Sequence, residues 1–123
     1  EPMMRNLLEK ILTRDGFRVV TASDGDEALQ VMGREDISIV ISDLQMPGMS
    51  GFELLKALKK HYPQAGMIIM TAYGDTYTVK DALLLGADEY ITKPFKCFEI
   101  SLVVERAYWR LLSQERRLAA DTD

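Results

Sequence analysis

The chain has 123 residues, of which 15 are Lys or Arg and 19 are Asp or Glu, for a net charge of −4, and 47% are hydrophobic. That is the size of one compact domain, too apolar for a disordered chain, and no apolar run approaches the roughly 18 residues of a membrane-spanning helix. The acidic balance argues against a nucleic-acid grip supplied by the domain as a whole, because phosphate neutralisation depends on clustered Lys and Arg.

A single cysteine, Cys97, cannot form an internal disulfide, and a single histidine, His61, cannot supply the paired imidazoles of common zinc sites. A Ser/His/Asp hydrolase would have to place His61 beside its nucleophile, and nothing in the pattern suggests it. The opening EPMMRNLLEK mixes charges and has no basic segment followed by an apolar stretch, so the cytoplasm is the expected compartment, with no membrane partner.

In chain order, Met4, Leu7, Leu8, Ile11 and Leu12 recur at helical spacing, with Pro2 at the start and Gly16 placed to stop the helix. Phe17 to Thr21 (FRVVT) reads as a short strand, and Ser23-Asp24-Gly25 caps a helix over about Asp26 to Gly33. Ser38 to Ser42 (SIVIS) is a strand covered on both faces, followed at once by Asp43. A loop over residues 47–51 leads to a helix reaching about Lys60. Met67 to Met70 (MIIM) is a buried strand, Thr71 to Gly74 its exit loop, and Thr76 to Leu85 a helix stopped by Gly86. Glu89 to Thr92 is the last strand. A long final helix starts near Phe98, with Ile100, Val103, Val104, Ala107, Tyr108 and Leu111 on an apolar stripe.

Alternating strands and helices joined by short connections predict an α/β fold, a doubly wound parallel sheet with helices on both faces. Every later helix follows a strand, whereas the first begins at residue 2, so the pattern predicts a short apolar strand ahead of Glu1. The predicted division is a domain over residues 1–112 and a helical extension or linker over 113–123; along the last helix the apolar stripe continues through Leu111 and Leu118 with Arg106, Arg110, Arg116 and Arg117 gathered around it, which suits a solvated tail, pairing with a second copy, or a link to an output domain.

In such sheets reactive groups collect beyond the carboxyl ends of the strands, where Asp43, Thr71 and Lys93 fall. A carboxylate, a hydroxyl and an ammonium in one crevice suit phosphoryl transfer: Asp43 as nucleophile, Thr71 and Lys93 on the phosphoryl oxygens. Lys93 alone neutralises little of the charge on donor and acceptor, so Mg²⁺ is expected as cofactor. Singly, each residue has a plain use: a turn cap, a satisfied loop hydroxyl, a surface charge. Together they point to the site.

Three segments, SIVISDLQMPGMSG, MIIMTAYG and YITKPF, resemble in order and spacing the receiver domains of two-component response regulators. The resemblance implies a flavodoxin-like sheet of order 2-1-3-4-5, here without its first strand, and a phosphoacceptor signalling domain of limited self-catalysis rather than an enzyme. It implies that Asp43 accepts a phosphoryl group from a sensor histidine kinase, that Thr71 and Tyr90 form the switch, and that Lys93-Pro94 is a cis peptide. The implied metal ligands are Asp43 and the backbone carbonyl of Gln45. Tyr73 should overhang the site.

The resemblance further implies an output domain or target that reads the face formed by the fourth helix, fifth strand and last helix; the stripe of the last helix also suits a homodimer, and the acidic balance predicts no direct contact with nucleic acid. The chain departs from the pattern at its start, where receivers carry two adjacent acids after the first strand. Glu1 aligns just beyond that pair, and Pro2 and Met3 fit the usual continuation. The competing reading is a phosphorylation-independent interaction module of the same fold. An Asp-nucleophile phosphatase would need a second carboxylate two residues on, where this chain has Gln45.

Overall fold

A computed structural model describes residues 2–44, 48–72 and 79–122, with the backbone alone for residue 79 and residues 115–122. Expectations for Glu1, Gln45 and Tyr73, and for the side chains of Arg116, Arg117 and Leu118, fall outside the described residues.

The elements are α1 (Pro2–Arg14), α2 (Gly25–Arg34), β1 (Ile39–Asp43), α3 (Gly51–His61), β2 (Gly66–Ala72), α4 (Val79–Leu84), β3 (Glu89–Lys93) and α5 (Cys97–Thr122). Local chemistry sets several of their ends. Asp24 accepts a hydrogen bond from the Glu27 amide at 2.8 Å, and Ser50 one from the Glu53 amide at 3.2 Å, so α2 and α3 start on side-chain caps. Gly16 and Gly86, at φ 95° and 104°, end α1 and α4 in the left-handed region that side chains avoid. At both ends the glycine amide and the next amide bond back into the last turn, Gly16 to Thr13 and Phe17 to Leu12, Gly86 to Leu83 and Ala87 to Ala82.

The three strands form a parallel sheet of order β1-β2-β3, with Ile39 opposite Gly66, Asp43 opposite Met70, Ile68 opposite Glu89 and Ala72 opposite Lys93. Alternation across the pleat divides the core in two. Ile68, Met70 and Ile91 pack with Leu8, Ile11 and Leu12 of α1 and Ile100, Val103, Val104 and Ala107 of α5. Met67 and Ile69 pack on the other face with Met32, Phe52, Leu54, Leu55, Leu58 and Ala82. β2 is buried along all but its last residue, as a strand flanked and covered on every side should be.

The structure corrects the sequence reading in places. Phe17 to Thr21 forms no strand: among the described residues no backbone group of Arg18–Ala22 bonds another backbone group, and a strand exists only through such bonds. The sheet therefore holds three of the expected strands, the last three in sequence. Thr71 and Ala72 belong to β2 rather than to a loop, and Asp43 is the last residue of β1. Cys97 is exposed as the first residue of α5.

α5 spans 26 residues, about 39 Å at the usual rise, and is tied to the sheet by a buried carboxylate. Glu89, 9% exposed, receives Arg106 on Oε1 at 2.6 Å and Arg110 on Oε2, while Arg110 also donates to the Asp88 carbonyl at 2.9 Å. Burial works to raise the Glu89 pKa, but hydrogen bonds from Arg106 and Arg110, reinforced by their charges, outweigh it and hold the carboxyl below its ordinary value. A carboxylate depressed in the folded state contributes stability above its unfolded pKa, and that contribution is lost as pH falls through the folded value. Thermal unfolding should therefore show the wild-type Tm falling on acidification below about pH 4.3 more steeply than that of Glu89→Gln. Parallel acid limbs in the two proteins would contradict the assignment.

Candidate functional site

The site lies at the carboxyl ends of the three strands. Asp43 ends β1, Lys93 ends β3, and Thr71, 5% exposed, sits on β2 between the rows in which those two residues pair. β1 and β3 are not neighbours, and Asp43 pairs two rows before Lys93, so their Cα positions stand two strand spacings and two residues apart, roughly 12 Å. The long Lys93 side chain closes that gap: Nζ donates to Asp43 Oδ2 in an ion pair across the end of β2. The two side chains are 24% and 25% exposed, half-sheltered from water yet reachable from outside. Charges in that position interact more strongly than fully solvated ones without the full desolvation cost of a buried pair.

The backbone around Asp43 is held from several directions. The Ser42 hydroxyl donates to the Asp43 carbonyl at 2.9 Å, the Leu44 amide donates to Met70 at 3.0 Å, and the Gly51 amide donates to Leu44 at 3.0 Å. This last contact brings the first turn of α3 directly against the end of β1. A Cβ on Gly51 would stand 2.5 Å from the Asp43 carbonyl oxygen and 2.9 Å from Leu44 Cα, closer than real contacts allow. Gly51 is thus a site-positioning residue that sequence reading treated only as part of a loop. Its signal, a glycine directly after a capping serine, is visible in hindsight but does not reveal the close approach.

Tyr90 lies on β3 three residues before Lys93, 41% exposed on the outward side of the strand, and so is not gathered with the other three. The Lys93–Pro94 peptide is cis. His61, at the end of α3, is exposed.

Chemically, the arrangement offers a carboxylate oriented by an ammonium, with a hydroxyl-bearing residue on the intervening strand, which suits attack on an anionic phosphorus centre. For a divalent cation the described residues do not suffice. Among them no group of three His, Cys, Asp or Glu residues could hold a metal ion, and the one carboxylate at the strand ends already pairs with Lys93.

A sequence model described as "Response regulator receiver domain" matches residues 1–105. The chain is 35% identical over 113 residues to the DNA-binding transcriptional regulator NtrC of Escherichia coli (strain K12), covering 92% of this chain and 24% of NtrC. It is 36% identical over 113 residues to the response regulator protein FleR of Pseudomonas aeruginosa, covering 91% of this chain and 24% of FleR. The chain thus spans about a quarter of the length of these curated relatives. Among solved structures, the receiver domain of NtrX from Brucella abortus superposes with a TM-score of 0.82 at 33% identity, covering 87% of this chain and 91% of that one.

Gly51→Ala should destabilise the protein by about 1–3 kcal/mol, the usual range for overpacking against backbone. It should also shift the amide resonances of Asp43 and Leu44, whereas Gly33→Ala, which meets only the Tyr62 hydroxyl at 3.7 Å, should leave those amides in place. Urea unfolding and backbone NMR check both; an unchanged stability for Gly51→Ala would show that the close approach does not constrain the site.

Proposed function

The chain belongs to the receiver domains of two-component response regulators, and from that premise we propose that Asp43 is its phosphoacceptor, with Thr71 and Lys93 receiving the phosphoryl oxygens. The observation that carries this reading is the ion pair between Asp43 and Lys93 across the end of β2, with Thr71 between their strands.

In the reaction, an Asp43 carboxylate oxygen forms a bond to phosphorus as the bond from phosphorus to the imidazole nitrogen of a kinase phosphohistidine breaks, and the departing nitrogen takes up a proton. Asp43 thereby trades a single negative charge for roughly two, with three strong acceptor oxygens. Lys93 is already aimed at the carboxylate and needs only to move its ammonium to the new oxygens, so the largest electrostatic partner is organised before the donor arrives. Thr71 follows as a hydroxyl donor. Its displacement toward the phosphoryl group frees space beside β3, and Tyr90, now outward, turns in to fill it. That rotation alters the face formed by α4, β3 and α5, which a target or output domain reads, while α5 also suits pairing with a second copy. In this reading residues 113–123 continue α5 as a link away from the domain, and the whole works in the cytoplasm.

Receiver domains generally bind Mg²⁺. The ligands we assign to this chain are Asp43 and the Gln45 carbonyl, the latter outside the described residues, and the balance must come from elsewhere. None of the steps above depends on it. Among the described residues no helix is long and apolar enough to cross a membrane.

The protein should gain one phosphoryl group from a small acyl phosphate in the presence of Mg²⁺, stable to acid and labile to base, on Asp43 alone. Asp43→Asn should gain none, and Lys93→Ala should react about a hundredfold more slowly, the cost of losing one charge-stabilising donor. Intact-mass and peptide mass spectrometry read the outcome. An unmodified wild-type protein would favour the phosphorylation-independent interaction module.

A further inference from the structure

α2 and α3 begin close together, and a single methionine joins their starts. α2 begins at Gly25, which is buried, and α3 at Gly51, directly after its cap Ser50. Met49 precedes that cap. Its partly buried side chain packs on the core that holds Leu54 and Leu55, from the position where an apolar residue staples a helix start onto its own first turns. The same side chain lies flat on Gly25. A Cβ on that glycine would stand 2.9 Å from Met49 Sδ, 3.1 Å from Cγ and 3.0 Å from Cβ. The methionine therefore runs along the bare face of the first residue of α2, and glycine is the residue that leaves room for it.

From this contact the path to Asp43 is short. Ser50, next to Met49, accepts the Glu53 amide on its hydroxyl, and Gly51 donates its amide to the Leu44 carbonyl at 3.0 Å while lying against the Asp43 carbonyl. Leu44 follows Asp43 directly, and its own amide is held by Met70. The ladder with β2 thus fixes Asp43 from one side, and the segment 48–51 fixes it from the other. Of the two anchors, the second is itself anchored at Met49.

We propose that Met49 is a positioning residue for phosphoryl transfer at Asp43: seated on Gly25, its side chain holds the start of α3 against the end of β1 and so keeps the carboxylate in line with Lys93. The inference rests on the phosphoacceptor reading. How the contact fails follows from which atoms touch. A methyl on Gly25 can displace the thioether by rotating the side chain, but Met49 Cβ is one bond from the backbone and moves only when segment 48–51 moves with it. Close-packed interiors pass such a shift on rather than absorb it, here through Gly51 to Leu44 and Asp43.

The test is the rate at which the full chain takes up a phosphoryl group from acetyl phosphate and Mg²⁺, followed by intact mass at equal donor concentration. Met49→Ala and Gly25→Ala should each react about tenfold more slowly. The double variant should be little slower than Met49→Ala, because the new methyl then meets neither Sδ nor Cγ. Met32→Ala is the control for lost packing: Met32 is 8% exposed in the same core but lies near the far end of α2, and this variant should lose stability yet react at the wild-type rate. In backbone NMR the Asp43 and Leu44 amides should shift in Met49→Ala and stay in place in Met32→Ala. Equal rates in wild type and Met49→Ala, slowing without shifts at Asp43 and Leu44, fully additive slowing in the double variant, or equal slowing in Met32→Ala would overturn the inference and leave Asp43 as phosphoacceptor. A wild-type protein that takes up no phosphoryl group would overturn the phosphoacceptor reading and the inference with it.

Discussion

The structure depends on a lysine reaching across one strand to a carboxylate on the next. Lys93 and Asp43 end strands that do not touch, so their ion pair exists only if β2 lies between them in register and the strands finish within two residues of one another. The parallel ladder from Ile39 opposite Gly66 to Ala72 opposite Lys93 provides that alignment, and a hydrophobic core packs against each face of the sheet. Residues far apart along the chain thereby meet in one crevice at the carboxyl ends of the strands, with no loop required to carry them.

The supports of that crevice are unequal in kind. On the α3 side the constraint is steric: Gly51 lets a helix start touch the backbone of Asp43, and no other side chain fits there. On the α5 side it is electrostatic, with Glu89 at the opposite end of β3 clamped by Arg106 and Arg110. β3 is therefore tethered at its start to α5 and at its end to the residue proposed to take the phosphoryl group. A charge added at Asp43 acts on a strand whose other end is fixed to α5, which gives the proposed signal a physical route between site and output face.

Much of this was legible in the sequence because it rests on local rules. Asp43, Thr71 and Lys93 could be placed at strand ends from short apolar runs alone, and Gly16 and Gly86 marked helix ends because only glycine sits easily at positive φ. Phe17–Thr21 misled for an equally physical reason: its β-branched composition describes what the segment could do with a neighbour, and a strand needs hydrogen bonds that composition cannot supply. Gly51 was hidden because a close approach between segments leaves no periodic trace. The Glu89 clamp was hidden because its arginines lie 17 and 21 residues away with no repeating spacing to announce them.

The central claim, that Lys93 is committed to Asp43, can be read from the lysine itself. Nitrogen-15 NMR of the side-chain ammonium groups should find the Lys93 signal slowed in exchange and displaced from those of the exposed Lys10 and Lys80, and Asp43→Asn should return it to their position. A Lys93 signal that coincides with theirs in the unmutated protein, and does not move when Asp43 is replaced, would contradict the account.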